Sequence, residues 1–162
     1  VASYTDNGIT AQGFTFESVP PEVEGTVDRV LLIRALHNLQ RFEQEADTFS
    51  KALASIKLML KDDGLVGVVQ HRAPADASGD WADGSRGYIR QADVIVMFEE
   101  AGFELVAESE LNANPLDKPG ADDNVWRLPP SLRGNEDDAG QQAAMQAIGE
   151  SDRMTLLFRK AP

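Results

Sequence analysis

The chain has 162 residues, a formal net charge of -12, 42% hydrophobic residues and no cysteine. That length supports one domain with its own core. The acidity offers no basic surface to nucleic acid or anionic lipid, and the lack of cysteine excludes disulfides, thiolate nucleophiles and cysteine zinc sites.

No apolar run reaches the ~18 residues of a membrane span. The first residue is Val1 rather than methionine, which reads as a boundary left by processing, proteolysis or laboratory truncation. Residues 1–12 are polar, broken by Gly8 and without a sustained period, so a loose lead-in is expected. Gly13 to Val19 alternates apolar with polar and reads as a short strand, stopped by Pro20-Pro21. Glu22 to Thr26, with Gly25, is a turn-like connector. Within Val27 to Ile33, Val30 to Ile33 is then a nearly continuous apolar run, the pattern of a strand buried on both faces. It breaks into Arg34-Ala35-Leu36-His37-Asn38, which places a cation, an imidazole and an amide just past the strand's carboxyl end. In open α/β sheets, ligands bind there.

Arg41 to Asp47 is charged and begins or precedes a helix, in which Phe49, Leu53, Ile56 and Leu60 share one face. Lys61-Asp62-Asp63-Gly64 is expected to end that helix, with Gly64 as a left-handed C-cap. Leu65 to Val69 is a second buried strand, leading to Gln70-His71-Arg72. The stretch from Ala73 to Gly87, with Pro74, Gly79, Trp81 and Gly84, is a loop by composition. Gln91 to Ala101 is a helix with Val94, Ile95, Met97, Phe98 and Ala101 inward and Gly102 as its stop. Phe103 to Leu111 is a strand near a sheet edge, and Arg153 to Arg159 is the last strand. Between them, residues 112–152 form a long insertion with Pro115, Pro119, Pro129 and Pro130 and a short Ala/Gln-rich helix over 138–148. Loops of such length are uncommon in compact domains and often functional.

Several of these stretches, in this order, resemble class I S-adenosylmethionine-dependent methyltransferases. The run from Val27 to Leu39 is similar to their fourth strand and its His- and Leu-containing loop. Leu60-Lys61-Asp62-Asp63-Gly64-Leu65 is similar to the Leu-Lys-Pro-Gly-Gly turn before the fifth strand, and Glu99-Glu100-Ala101-Gly102-Phe103 to the Ala-Gly-Phe turn into the sixth. More narrowly, Val68-Val69-Gln70-His71-Arg72, Gly87-Tyr88-Ile89-Arg90, Asn112-Ala113-Asn114-Pro115 and Ser151-Asp152-Arg153-Met154 resemble a poorly characterised bacterial group of methyltransferases. There an aspartate is usual where this chain has Gln70.

The resemblance runs from Phe14 to the end and implies an α/β, Rossmann-like sheet entered at its third or fourth strand. An antiparallel seventh strand would close it between the fifth and sixth. No Gly-x-Gly-x-Gly occurs, so the first βαβ unit, which carries the family's cofactor turn, is expected to be missing from this sequence. Residues 1–162 then make one partial domain.

The resemblance also implies S-adenosylmethionine contacts at Glu17 and Ser18 near the adenine and at Arg34, Ala35 and Leu36 on the other side. A solvated loop acid is the alternative for Glu17. His37 stands as a general base near neutral pH, as a substrate-orienting group or as a structural histidine. His71 and Arg72 are expected beside it. Two histidines and an arginine suit an acidic substrate better than a metal, because no ligand spacing is present. Catalysis is thus assigned to His37 and His71 and substrate contact to Asn38, Arg72, Tyr88, Arg90, Asn112, Asn114 and Trp126. Arg90 reads equally as a surface residue at a helix start, and Trp126 as a pin for the insertion. The expected reaction is methyl transfer to a small-molecule acceptor; the alternative is a non-catalytic module for oligomerisation or binding. Without the first strand, the Val27 to Ile33 edge would demand a partner. A homodimer, or association with a missing N-terminal segment, is therefore expected. The compartment is expected to be cytoplasmic, with export left open.

Overall fold

A computed structural model of the chain describes residues 11–134 and 137–162, so most of the expected lead-in over 1–12 lies outside the described residues. The first strand, β1 (Val27–Ile33), pairs in parallel with β2 (Leu60–His71). The crossover between them carries α1 (Leu36–Gln40), α2 (Glu43–Ala46) and α3 (Thr48–Met59). From β2 the chain passes through α4 (Gln91–Glu100) to β3 (Phe103–Ser109), and through α5 (Ala139–Ile148) to β4 (Arg153–Lys160). β4 is antiparallel to both neighbours, and the sheet order is β1-β2-β4-β3.

Side chains alternate across a strand, and here the two faces differ. Leu32, Val66, Val68, Met154, Leu156 and Phe158 share one core with Phe49, Leu53 and Ile56 of α3 and Val94 and Phe98 of α4. Phe98 stacks on Phe158 with ring centroids 4.1 Å apart and meets Phe49 and Phe103 edge-on. Burying a phenyl ring in this way stabilises by about 2–3 kcal/mol relative to leaving it in water. Leu31 and Ile33 alternate with Leu32 and stay 70% and 51% exposed, so β1 is an edge strand covered on one face and not the strand buried on both faces that its apolar run suggests. They pair with Gly67 and Val69 of β2, which lie opposite Leu157 and Thr155 of β4. Among the described residues, then, one sheet face is dressed by helices and the other retains open apolar side chains.

Gln91–Glu100 and its stop follow the expected pattern, with Gly102 at φ 81. Helix α5 starts where Asp138 Oδ1 accepts hydrogen bonds from the amides of Gly140 and Gln141, an N-cap.

Three local expectations need correction. The segment 13–19 is not a strand: the Ser18 amide donates to the Thr15 carbonyl at 3.0 Å, and Ser55 Oγ donates to the Phe16 carbonyl. These bonds fold it onto α3 instead of beside β1. The loop expected after β1 is already the first turn of α1, which begins at Leu36 ahead of the charged stretch. Lys61 to Gly64 does not cap a helix. α3 ends at Met59, Leu60 is extended and fully buried, and the register shifts where Val27 pairs with Leu60 and Arg29 with Leu65. Residues 61–64 are thus a bulge in β2. Gly64 serves it by close approach, since a Cβ there would lie 2.6 Å from Leu60 Cγ.

Candidate functional site

The ladder between β1 and β2 runs one residue past Ile33, through the Arg34 amide donating to the Val69 carbonyl at 2.6 Å. Arg34 then adopts φ 54, a left-handed conformation that ends the strand abruptly. Helix α1 therefore begins beside the carboxyl end of β2, and its first turn brings His37 against Gln70.

Gln70 is fully buried and ties three segments together. Its Oε1 accepts the His37 backbone amide at 3.4 Å and lies 3.3 Å from His37 Nδ1. Its Nε2 donates to the Gly87 carbonyl at 2.8 Å and the His71 carbonyl at 3.4 Å. Because that nitrogen faces two carbonyls, the orientation of the amide follows from its partners. His37 Nδ1 must then carry the proton, which leaves the lone pair on Nε2.

His37 and His71 have ring centroids 5.5 Å apart, and Trp126 stands edge-on to His37 at 5.9 Å. They line a cavity of about 340 Å³ with Arg34, Asn38, Ser151 and Arg153. Its far wall is the stretch from Val125 to Ser131, containing a cis Pro129–Pro130 peptide. A short turn, Val125–Arg127, begins that wall, with Asn124 Oδ1 accepting the Trp126 amide at 3.1 Å.

The wall is anchored from behind. The Asp117 carboxylate, with no side-chain exposure, accepts from Arg127 Nη2 at 2.8 Å, Tyr88 Oη at 3.0 Å and the Asp152 amide at 3.0 Å. Burial, then the Asp117 carboxylate, pushes the Tyr88 phenol well above its usual range. Gly87, at φ 86, lets the loop before Tyr88 approach this wall, because a Cβ there would overlap Val125.

Both histidines are held neutral near pH 7. Burial lowers His37, against the hydrogen bond it donates to Gln70, which favours its proton, and the Arg41 charge lowers it further. Burial lowers His71 to about 3, assisted by His37, Arg153 and Arg34. His71 Nδ1 shares a 2.6 Å hydrogen bond with Ser151 Oγ. The arrangement offers neutral imidazole acceptors and guanidinium donors to a ligand of modest size.

Of the residues singled out from sequence, Arg34, His37, Asn38, His71 and Trp126 meet at this cavity. Ala35 is half-buried at the start of α1, and Leu36 is fully buried in the core. Glu17 pairs with Lys51 at 3.1 Å beside α3, and Ser18 closes the Thr15 turn. Arg72 bridges Glu110 and Asp152, and Arg90 pairs with Asp93 at 2.7 Å. Asn112 donates to Thr155 Oγ1, while Asn114 donates to the Ile148 and Glu150 carbonyls and fastens the base of α5. Ser151, Arg153 and Glu150 were missed as lining residues, though the Ser151 to Met154 stretch was noticed for its resemblance. Among the described residues no group of three His, Asp or Glu side chains converges as a metal site, and no helix is long and apolar enough to cross a membrane.

No protein-family model matches the sequence, and no curated protein matches it. Solved structures do match. The [4+2]-cyclase SpnF aligns with a TM-score of 0.55 and 16% identity over 93% of this chain and 55% of its own. A LepI complex with S-adenosylmethionine (SAM) gives 0.54 and 13%, covering 94% of this chain and 31% of its own. The mitomycin 7-O-methyltransferase MmcR gives 0.52 and 13%, covering 94% and 34%. The chain thus spans between about a third and about half of these proteins. At such identities the likeness speaks for fold, and the matched proteins include a cyclase as well as a methyltransferase, so the architecture hosts more than one reaction. The mixed sheet, with its antiparallel last strand inserted before the edge strand, is the later part of the class I methyltransferase fold.

Proposed function

We propose that this chain is the acceptor-binding half of a SAM-dependent methyltransferase acting on a small molecule. One observation carries the reading: the His37, His71 and Trp126 cavity opens at the carboxyl ends of β1 and β2, where this kind of sheet binds its ligands. SAM, when bound, supplies an already activated methyl group, so the chain's own task is alignment of the acceptor. His37 Nε2, which keeps its lone pair, accepts a hydrogen bond or proton from an acceptor hydroxyl. The Val125 to Ser131 wall excludes water.

The residues present fit SAM on one side. Arg34 and Ala35 follow β1 directly and would flank it, whereas Leu36 is enclosed by the core and Glu17 is engaged by Lys51. The glycine turn belongs to sequence outside this chain in this reading. Titration calorimetry of SAM into the chain is the test. Saturable micromolar binding supports a usable half-site; absence of binding at millimolar SAM counts against cofactor use by this chain.

The second reading, a module for association, is favoured by Leu31 and Ile33, which are exposed on the outermost strand. A self-associated chain, or one docked on an N-terminal segment of the same protein, would cover them. We take the two readings as compatible, since the partner would complete the cofactor site.

A further inference from the structure

Positive charge is concentrated around the cavity in a chain that is otherwise strongly acidic, at -12 overall. Arg34 and Arg153 line it, Arg133 lies 5.8 Å over the Trp126 ring, and Arg41 sits close enough to His37 to disfavour its proton. Among the described lining residues Glu150 is the one acid, and it is paired with Arg153 at 2.5 Å.

Arg34 differs from four arginines away from the cavity. Arg72, Arg90, Arg127 and Arg159 are each committed to a carboxylate. The Arg34 side chain meets no acceptor among the described residues, although its backbone is locked by the Val69 bond and by its left-handed turn. Arg153 has a second deficit: its Nε is buried without a hydrogen-bond partner. An unpaired guanidinium on a fixed backbone presents a two-pronged donor matched to a carboxylate. The Arg153 and Glu150 charges offset each other, so the net charge beside Arg34 suits a monoanion better than a dianion. Trp126, Val125, Leu128 and Pro129 supply flat apolar surface, and about 340 Å³ is room for a single ring rather than a long chain.

We infer that the cavity takes a small aromatic carboxylate, its carboxylate on Arg34 and its ring against Trp126 and the Leu128–Pro129 wall. This deepens the proposed function, and rests on it, in taking the cavity as the acceptor site.

The test is calorimetric titration of para-hydroxybenzoate, its neutral analogue para-hydroxybenzamide and phenyl phosphate into the chain without SAM. The acid is expected to bind about tenfold or more tightly than the amide. Arg34→Gln, at an exposed position, should bring the acid down to the affinity of the amide and weaken the acid far more than the amide. Equal binding of acid and amide, saturation by none of the three, a preference for the phosphate, or a preference surviving Arg34→Gln would each overturn the proposal. Because SAM is absent from this experiment, the two readings fail separately. Acid binding without SAM binding removes the methyl-transfer reading alone, and SAM binding without acid selectivity removes the carboxylate assignment alone.

Discussion

The Gln70 carboxamide oxygen lies 3.3 Å from His37 Nδ1, and the nitrogen of the same amide donates to the Gly87 carbonyl at 2.8 Å. A carboxylate cannot make the second bond, since it has no donor when ionised. Gln70→Glu should therefore release Gly87 and destabilise the fold by about 1–3 kcal/mol, while its charge favours the protonated imidazole. The His37 titration, followed by NMR, is expected to move upward. An unchanged titration would show that the amide does not govern His37.

Stability should fall on mild acidification, and His71 sets the sign. Its folded value is lowered from 6.5 to about 3, so below 6.5 the unfolded chain takes up a proton that the folded chain refuses. Stability is complete above the unfolded value and declines as pH drops toward the folded one. His71 alone should account for a loss of about 1.4 kcal/mol between about pH 7.5 and about pH 5.5, a window in which ordinary carboxylates scarcely titrate. Denaturant midpoints at the two pH values measure it. His71→Asn should flatten the dependence, and His37 should supply most of what remains.

Asp117 is the most exacting polar position in the insertion. Asp117→Ala leaves Arg127 buried with its Asp117 partner gone and removes the acceptor of Tyr88 Oη and of the Asp152 amide. Loss of about 3–5 kcal/mol is expected. Tyr88→Phe removes the bond donated to Asp117 and the longer one accepted from Arg127 Nη1, and should cost about 1–2 kcal/mol. Chemical denaturation of both variants tests the ranking; equal effects would contradict it.

Sedimentation velocity tests the proposed association. The wild-type chain should self-associate, and Leu31→Lys with Ile33→Lys should shift it to the monomer with an unchanged circular dichroism spectrum. A wild-type chain that sediments as a monomer at high concentration would count against a homodimer.

Much of the architecture was readable because its signals are local. The run from Val30 to Ile33, the face of Phe49, Leu53 and Ile56, and the Ala-Gly-Phe turn at Gly102 each report on a few neighbouring residues. Phe14 to Val19 misled because alternation says nothing about whether a neighbouring strand exists; Ser55, far away in sequence, decided the matter. Gly64 misled in a related way, since a glycine required by the bulk of Leu60 looks like one required for a left-handed cap. In the site, Arg34 and His37 follow a recognisable strand and were found. The pairing of Asp117 with Arg127 and the arrival of Ser151 and Arg153 depend on how a long insertion returns to the sheet, which no spacing rule encodes. Arg72 was expected beside His37, but the acids Glu110 and Asp152 hold it elsewhere.

The central position of β4 bears on how the chain must come together. Among the described strands it is the sole lateral link between β2 and β3, joining Leu65 to Arg159 and Phe103 to Lys160. Its pairing with β2 therefore closes a span of most of the sequence, the kind of distant contact that makes folding slow. During synthesis, a chain whose residues 153–160 are not yet free leaves the β1–β2 pair and the lone strand β3 with unsatisfied backbone edges. Those edges are templates for pairing with other nascent chains. The chain's vulnerability in the cell thus lies in the interval before β4 arrives, and truncations that trim β4 should appear as insoluble protein.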